Sequence, residues 1–172
     1  MFDTMELFGE RLYLRKLNPN FDELDNYIGW LRDINSNRFI KSARHDYSKE
    51  DLVAYINDKN NSPTAMLFGI FDCHTTLLIG TIKLEPINFD SKSAWVGILI
   101  GDPKNHGKGY GFEALDILCD FCSSILKINN IFLGVSPNNI PAIKLYKKFG
   151  FLPCNNETNI MCLGIEDYKS KL

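Results

Sequence analysis

The fold is decided by residues 94–125, which read AWVGILIGDPKNHGKGYGFEALDILCDFCSSI. An apolar run leads into a polar loop, and the loop leads into a long apolar segment. Glycine occupies every second position at the end of that loop, at Gly107, Gly109 and Gly111. Backbone without a Cβ can approach a ligand closely, and the first N–H groups of a helix have no intrahelical partner. The stretch therefore predicts a strand, a glycine loop and a helix N-terminus that together bind an anion such as a diphosphate.

Two well-known phosphate-binding loops do not match this stretch. The P-loop of nucleotide triphosphatases needs Gly-Lys followed by Ser or Thr, whereas Lys108 is followed by Gly109. The dinucleotide fingerprint needs Gly-x-Gly-x-x-Gly near the first strand, whereas here the third glycine comes one position early and the motif lies past the midpoint of the chain. A plain turn before a helix is the alternative that the loop alone leaves open.

A third phosphate-binding loop is similar to residues 106–111. These residues, HGKGYG, resemble the pyrophosphate motif of the GNAT acyltransferases, which reads Arg or Gln-x-x-Gly-x-Gly or Ala, with histidine in the first position here. The resemblance implies that the backbone amides of the loop hold the pyrophosphate of coenzyme A and that Lys108 lies near its phosphates. It thus implies cofactor contacts for His106, Gly107, Lys108, Gly109, Tyr110 and Gly111.

A second motif lies at the distance downstream that the same family implies. Residues 139–151, NIPAIKLYKKFGF, resemble the GNAT pattern Asn-x-x-Ala-x-x-Leu-Tyr-x-x-x-Gly-Phe. Residues 9–15 and 30–33 are similar, more weakly, to the RimJ/RimL-type branch, whose members acetylate protein N-termini, polyamines, antibiotics and amino sugars. The resemblance implies an α+β fold with a central mixed, mostly antiparallel sheet, splayed between two adjacent strands and covered by helices on both faces.

Length and composition indicate the number of domains, the excluded partners and the expected compartment. A chain of 172 residues with 45% hydrophobic residues predicts a single GNAT domain over residues 1–172. A net charge of −2 gives no electrostatic footprint for nucleic acid or for an anionic membrane. The N-terminus lacks the features of a signal peptide and no apolar run approaches 18 residues, so we expect a soluble cytoplasmic protein.

The cysteine pattern also favours a reducing compartment. The five cysteines are an odd number and are scattered through apolar segments, which predicts free thiols. Cys119 and Cys122 form a Cys-x-x-Cys pair, but no second pair and no histidine cluster accompanies it. We therefore interpret both as core thiols and predict no metal site.

The rest of the chain predicts alternating strands and helices. Strands are expected over 11–17, 65–71, 77–84 and 131–135, a turn over 86–93, and one or two closing strands after residue 151. Helices are expected from Phe21, after a capping box at Ser48 and Asp51, and from an Asn139 N-cap to Gly150. The polar region 35–47, which contains Arg38, Lys41, Arg44 and His45, is expected to be the loop that covers the acceptor.

The resemblance implies roles for several further residues. Backbone groups near Leu99 and Ile100 would pair with the pantetheine arm, and the Leu99 amide would hold the acetyl oxygen. Tyr146 would be the general acid that protonates the departing thiolate, with simple packing on the cofactor as the alternative. Asn139 would contact the pantetheine, cap its helix, or do both. Glu85 is the best candidate for the base, with a solvated carboxylate at a strand end as the alternative reading of this residue. Acids or His45 of the covering loop are the other candidates, and some relatives use only water or backbone carbonyls.

These expectations lead to an acetyl-CoA-dependent N-acetyltransferase that works by direct attack in a ternary complex. We expect the acceptor to be a small amine such as a nucleotide-linked amino sugar. A protein or peptide N-terminus is the alternative acceptor, and a non-catalytic module that senses coenzyme A is the alternative class. No nucleic acid or membrane partner is expected, and a homodimer is compatible with the resemblance.

Overall fold

The structure is a computed structural model that describes residues 5–20, 24–33, 39, 48–154 and 159–170. One sheet of eight strands runs in the order β1-β2-β3-β4-β5-β6-β8-β7. The strands are β1 (Glu6–Phe8), β2 (Leu12–Lys16), β3 (Met66–Asp72), β4 (Leu78–Asn88), β5 (Ser93–Ile100), β6 (Asn130–Gly134), β7 (Leu152–Pro153) and β8 (Ile160–Gly164). The helices of the described residues are α1 (Leu24–Arg32), α2 (Lys49–Asn61), α3 (Tyr110–Phe121), α4 (Ile140–Phe149) and α5 (Ile165–Lys169).

Each face of the sheet carries its own apolar core. On one face the buried side chains of β2 to β6 pack against α3 and α4, as Leu115 and Phe149 show. On the other face Leu67 and Phe71 of β3 pack against Leu31 of α1 and Ile56 of α2. Neighbouring strands are antiparallel except for β5 and β6, which are parallel. The predicted α+β fold, with a mixed and mostly antiparallel sheet between helices, is therefore confirmed.

Local sequence signals set the ends of several helices. Ser48 Oγ accepts a hydrogen bond of 3.0 Å from the Asp51 amide, and Asp51 Oδ2 accepts one of 3.0 Å from the Ser48 amide, so the predicted capping box opens α2. Asn139 Oδ1 accepts from the Ala142 amide at 3.3 Å and caps α4. That helix ends at Gly150, where φ is +115°, a conformation that strongly favours glycine.

Other boundaries differ from the sequence-based expectations. The turn expected over 86–93 starts later, because β4 continues through Pro86 to Asn88 with a shift in its pairing between Leu84 and Ile87. Proline has no N–H to donate, and such an irregularity in the ladder is a place where a strand tolerates it. The helix of the glycine loop ends at Phe121 and continues as one π-helical turn, Cys122–Leu126. Strand β1 and helix α5 were not predicted, and the region 35–47 lies outside the described residues except for Phe39.

The splay between two adjacent strands is present. Strands β5 and β6 pair only at Ser93 with Asn130, Ala94 with Ile131, and Trp95 with Phe132. Beyond Trp95 no described strand pairs with that side of β5, so a gap opens between β5 and the segment that follows β6. The backbone groups along this gap are available to a ligand.

The cysteines are all free thiols, as predicted. Cys119 and Cys122 are buried in the core, and burial raises the pKa of Cys122 to about 12, so this side chain stays a neutral thiol. Within the described ranges no three or more His, Cys, Asp or Glu side chains come together as metal ligands would. None of the helices in that part of the chain has the length and apolar character needed to cross a bilayer.

Candidate active site

A cavity of about 480 Å³ connects the glycine loop with the gap in the sheet. Its walls come from β4, the end of β5, the segment after β6, and helices α1, α2 and α4. Residues from both sequence motifs line it. Its described lining consists of Tyr27, Leu31, Phe39, Tyr55, Leu67, Thr81, Lys83, Val96, Gly97, Ile98, Leu99, Ile100, His106, Gly111, Gly134, Val135, Ser136, Asn139, Pro141, Ala142, Leu145 and Tyr146.

The glycine loop has the geometry of an anion site. Gly107 and Gly109 have φ values of +74° and +83°, which other residues rarely adopt. Gly109 is the N-cap of α3 and has no side chain that could cap the helix. In the part of the chain that the structure describes, no residue accepts a hydrogen bond from the N–H groups of 109–112. A Cβ on Gly111 would lie 3.0 Å from Leu145 Cδ2, so glycine allows α3 and α4 to approach. Free amides at the positive end of a helix fit a diphosphate.

His106 fixes one end of this loop. Its Nε2 lies 2.8 Å from the carbonyl oxygen of Ile100, and because a carbonyl can only accept, Nε2 carries the proton and donates. The ring therefore ties the loop to the last residue of β5. This hydrogen bond gives the side chain a structural task, while the amides that follow remain available for the ligand.

Arg11 and Glu113 fix the other side of the loop. Arg11 Nη1 donates to the carbonyl oxygen of Lys108 at 2.9 Å, and Arg11 Nε lies 2.8 Å from Glu113 Oε2. Glu113 Oε1 also accepts from the backbone amides of Arg11 at 2.6 Å and Leu12 at 3.0 Å. With the Lys108 carbonyl held toward Arg11, the loop keeps its amides on the outside. The sequence motifs contained both residues, but no sequence signal indicated that they meet.

Replacing Arg11 with Met is expected to raise KM for acetyl-CoA about threefold to tenfold while kcat changes little, because the loop loses an anchor that does not touch the reacting atoms. Initial rates at varied acetyl-CoA give both constants. Arg11→Lys should recover part of the loss, since lysine keeps the charge but not the forked geometry. A fall in kcat at unchanged KM would contradict this role.

The direction of the backbone in β5 corrects one prediction. Gly101 donates its N–H to Ile79 of β4 at 2.9 Å, and Leu99 is paired with Thr81 of the same strand. Because alternate residues of a strand direct their N–H groups to the same side, the Leu99 amide faces β4 and not the gap. The predicted contact of the Leu99 amide with the acetyl oxygen is therefore wrong, although its side chain lines the cavity. The amides that face the gap are those of Ile98 and Ile100.

Tyr146 lies across the gap from β5 on helix α4. The side chain is 7% exposed, and its ring packs against Phe151 at 5.7 Å. Its hydroxyl has no hydrogen-bond partner among the described residues, and the residue lines the cavity. Burial raises the pKa of Tyr146 to about 12, so it remains a proton donor at neutral pH.

Asn139 caps α4 and lies at the cavity wall. Its Oδ1 caps α4 through the Ala142 amide, and the residue also lines the cavity. The side-chain NH₂ has no partner in the part of the chain that the structure describes, so it can donate to a ligand in the gap.

The surroundings of Glu85 do not support its predicted role as base. Its two carboxylate oxygens lie 2.6 Å from Lys59 Nζ and 2.8 Å from Lys83 Nζ. Partial burial alone would raise the pKa of Glu85, but the hydrogen bonds from Lys59 and Lys83 lower it below its usual value. A carboxylate held in this way is a weak base, and it is not part of the described cavity lining. Its observed contacts are with Lys59 and with Lys83, a residue that the sequence analysis did not single out.

Comparison with known proteins identifies relatives over most of the chain. The family described as Acetyltransferase (GNAT) domain matches residues 11–152. The N-acetyltransferase p20 of Bacillus licheniformis, whose activity is uncharacterized, is 31% identical over 148 residues, which cover 84% of this chain and 81% of p20. The spermidine N(1)-acetyltransferase of Vibrio cholerae is 28% identical over 127 residues and 73% of each chain.

A solved structure extends the comparison to the fold. The crystal structure of spermidine N-acetyltransferase from Vibrio cholerae in complex with CoA and spermine aligns with a TM-score of 0.80. The alignment covers 94% of this chain and 99% of that one at 23% sequence identity. At this identity the likeness concerns the fold alone.

Proposed function

Because the chain belongs to the GNAT acetyltransferase family and is an acetyl-CoA-dependent N-acetyltransferase, we propose that it acetylates a small primary amine, such as a nucleotide-linked amino sugar, by direct transfer. The observation that carries this proposal is a single cavity that runs from the glycine loop past Tyr146 to the side chains of β4. Its volume of about 480 Å³ is suited to small molecules rather than to a folded protein surface.

Each part of this cavity has a task in the proposed reaction. Acetyl-CoA, when bound, supplies an acetyl group activated as a thioester. The amides of 109–112 bind the diphosphate, and the backbone groups of Ile98, together with the N–H of Ile100, pair with the pantetheine arm. An N–H of the same strand edge donates to the acetyl carbonyl oxygen, on which negative charge develops as the amine attacks.

Tyr146 completes the transfer. As the new C–N bond forms and the C–S bond breaks, the hydroxyl of Tyr146 gives its proton to the departing sulfur, and solvent restores that proton. The acceptor ammonium gives one proton to water before it attacks, and its nitrogen gives a second proton to water as the amide forms. The cavity lining of the described residues contains no cysteine that could carry the acetyl group, which is consistent with direct transfer.

The acceptor is the finer part of the proposal. We assign the chain to the RimJ/RimL-type branch on the basis of residues 9–15 and 30–33. Trp30 supports this, because its indole packs directly on Gly101, where a Cβ would overlap the ring, and so joins α1 to the start of the glycine loop. A polyamine, suggested by the name of the Vibrio cholerae relative, and a protein N-terminus are the alternative acceptors.

The experiment that tests the function measures thiol release from acetyl-CoA with a panel of amino sugars, nucleotide-linked amino sugars, polyamines and peptides. Faster release with amino sugars than with peptides or polyamines is expected. Preferential acetylation of peptide N-termini would overturn the choice of acceptor. Binding of CoA without release of thiol, for every acceptor in the panel, would overturn the enzymatic function itself.

The pH dependence of the rate should come from deprotonation of the acceptor amine and not from Glu85. We expect Glu85→Gln to leave the shape of the pH–rate profile unchanged, because this carboxylate is already paired with two lysines and its pKa is lowered. In both proteins kcat/KM should rise with pH up to the pKa of the acceptor amine, since only the neutral amine attacks. A profile that loses an ascending limb in Glu85→Gln would restore Glu85 as the base.

A further inference from the structure

The cavity contains an ammonium group on its acceptor side. Lys83 of β4 lines the cavity with a side chain that is 31% exposed. It is the only lysine or arginine among the described lining residues. That lining includes no carboxylate. Lys83 therefore offers N–H donors to a ligand on the acceptor side of the cavity.

The ion pairs around Lys83 leave its charge directed at the cavity. Its hydrogen-bond partner in the described part of the chain is Glu85, at 2.8 Å, and Glu85 is shared with Lys59 at 2.6 Å. Lys59 also meets Asp58, whose side chain is 70% exposed. Lys59, Asp58 and Glu85 all lie outside the described lining, so Lys83 is the member of this group that faces the open space.

The sheet provides room for a ligand beside Lys83. Gly97 of β5 is paired with Lys83, and no atom lies within 4 Å of the position that a Cβ on Gly97 would occupy. Thr81, two residues before Lys83 and paired with Leu99, is 5% exposed, and its hydroxyl has no hydrogen-bond partner among the described residues. Because Thr81 lines the cavity, this hydroxyl can exchange a hydrogen bond with a ligand there.

We propose that Lys83 selects an acceptor that carries an anionic group, a carboxylate or a phosphate, in addition to its reactive amine. This inference rests on the proposed acetyl transfer and narrows its substrate class. The amine would lie near Thr81 and the end of β5, and the anionic group would reach Lys83 one step further along the sheet, about 7 Å away. Tyr55, whose ring lies 5.9 Å from Lys83 Nζ, flanks the same position.

The charge of the cavity separates this class from polyamines. A polyamine carries several ammonium groups, and Lys83 offers them donors but no acceptor, while the described lining contains no carboxylate that could pair with them. An anionic group would instead receive a charge-assisted hydrogen bond from one of the Lys83 N–H groups that Glu85 does not use. A hydrogen bond to a charged group of this kind increases the affinity for the acceptor by a factor of about 10 to 100.

Matched amines of equal chain length test the inference. The probes are 5-aminopentanoate, pentylamine and 1,5-diaminopentane, which end in an anionic, a neutral and a cationic group, together with glucosamine 6-phosphate and glucosamine. We expect kcat/KM to be at least about tenfold higher for the anionic member of each set, because the free Lys83 N–H groups favour it. Equal constants, or a preference for 1,5-diaminopentane, would overturn the inference. Absence of acetylation for every probe would instead count against the proposed function.

Two variants and a matched control assign the preference to Lys83. Lys83→Met should reduce the ratio of kcat/KM for 5-aminopentanoate to kcat/KM for pentylamine to near unity. Lys83→Arg should keep most of the preference for the anionic probe. Glu85 remains paired with Lys59 in both variants, so the fold should tolerate them. Lys169→Met is the control, because Lys169 is similarly exposed at 37% and ion-paired with Asp120 at 2.8 Å, outside the cavity. A preference that survives in Lys83→Met would contradict the assignment.

Discussion

Replacing Tyr146 with Phe is expected to lower kcat by about 100-fold or more and to leave the Kd of CoA nearly unchanged. The variant removes one oxygen atom that has no protein partner in the described residues, and the ring keeps its contact with Phe151. The departing sulfur then leaves without a proton donor, whereas the groups that hold the cofactor are intact. Steady-state kinetics and calorimetric titration with CoA measure the two quantities separately.

Tyr168→Phe is the matched control for this variant. Tyr168 is also buried, and its hydroxyl donates to Asp116 at 2.7 Å, but it does not line the cavity. This change should lower stability, because Asp116 loses a partner, and should leave kcat close to that of the unchanged protein. Unaltered kcat in Tyr146→Phe would remove the general-acid assignment and leave packing on the cofactor as the role of Tyr146.

The raised pKa of Tyr146 has a defined consequence at alkaline pH. Because burial raises its pKa to about 12, the folded protein keeps this proton between pH 10 and pH 12 while the unfolded chain loses it. The unfolded state then binds fewer protons, so the free energy of unfolding falls as pH rises through this interval. Tyr146→Phe should show a smaller fall, measured by denaturant unfolding at several pH values.

Gly109→Ala is expected to weaken CoA binding by about tenfold to thirtyfold, because a residue with a Cβ at a φ of +83° costs about 1–2 kcal/mol and the loop relaxes away from the binding conformation. Steric overlap does not cause the loss of affinity, since the new Cβ would contact only Arg11 Nη2, at 3.5 Å. The effect should appear in the Kd of CoA by calorimetry and in KM for acetyl-CoA, with a smaller change in kcat.

Gly150→Ala is the control that distinguishes a loss of CoA binding from a general loss of stability caused by backbone strain. Gly150 also has a positive φ, of +115°, but it ends α4 and lies outside the glycine loop and the cavity lining. Both variants should lower the Tm, and only Gly109→Ala should change the affinity for CoA. If the two variants bound CoA with equal affinity, binding of its phosphates would not depend on the conformation of the glycine loop.

The two motifs and the local signals were sufficient to predict the family and its fold. Gly107, Gly109 and Gly111 indicated a loop that needs bare backbone, and two of them have positive φ values. Ser48 and Asn139 indicated helix starts, because a cap depends on neighbours a few residues away. Such features are local, so one sequence contains all the atoms that decide them.

Predictions that depended on long-range pairing were less successful. Leu99 was assigned an amide facing the gap, but the pairing of β4 with β5 directs that N–H to the neighbouring strand. Glu85 was assigned as base, but Lys59, 26 positions earlier in the chain, binds its carboxylate. Neither contact could be read from the spacing of residues along the strand, since the register between strands is set by packing and turns elsewhere.

The sequence by itself determined that the protein has a glycine loop at a helix N-terminus, a tyrosine on the following motif helix, and an α+β sheet to carry them. Each of these follows from residue type and short-range spacing, because conformational preference and helix capping act over a few bonds. Only the tertiary structure decided which backbone groups face the gap, which residues anchor the loop, and which charge lines the acceptor side. Those outcomes follow from the register of β4 with β5 and from contacts such as Arg11 with Glu113, 102 positions apart, which exist only after the chain has folded.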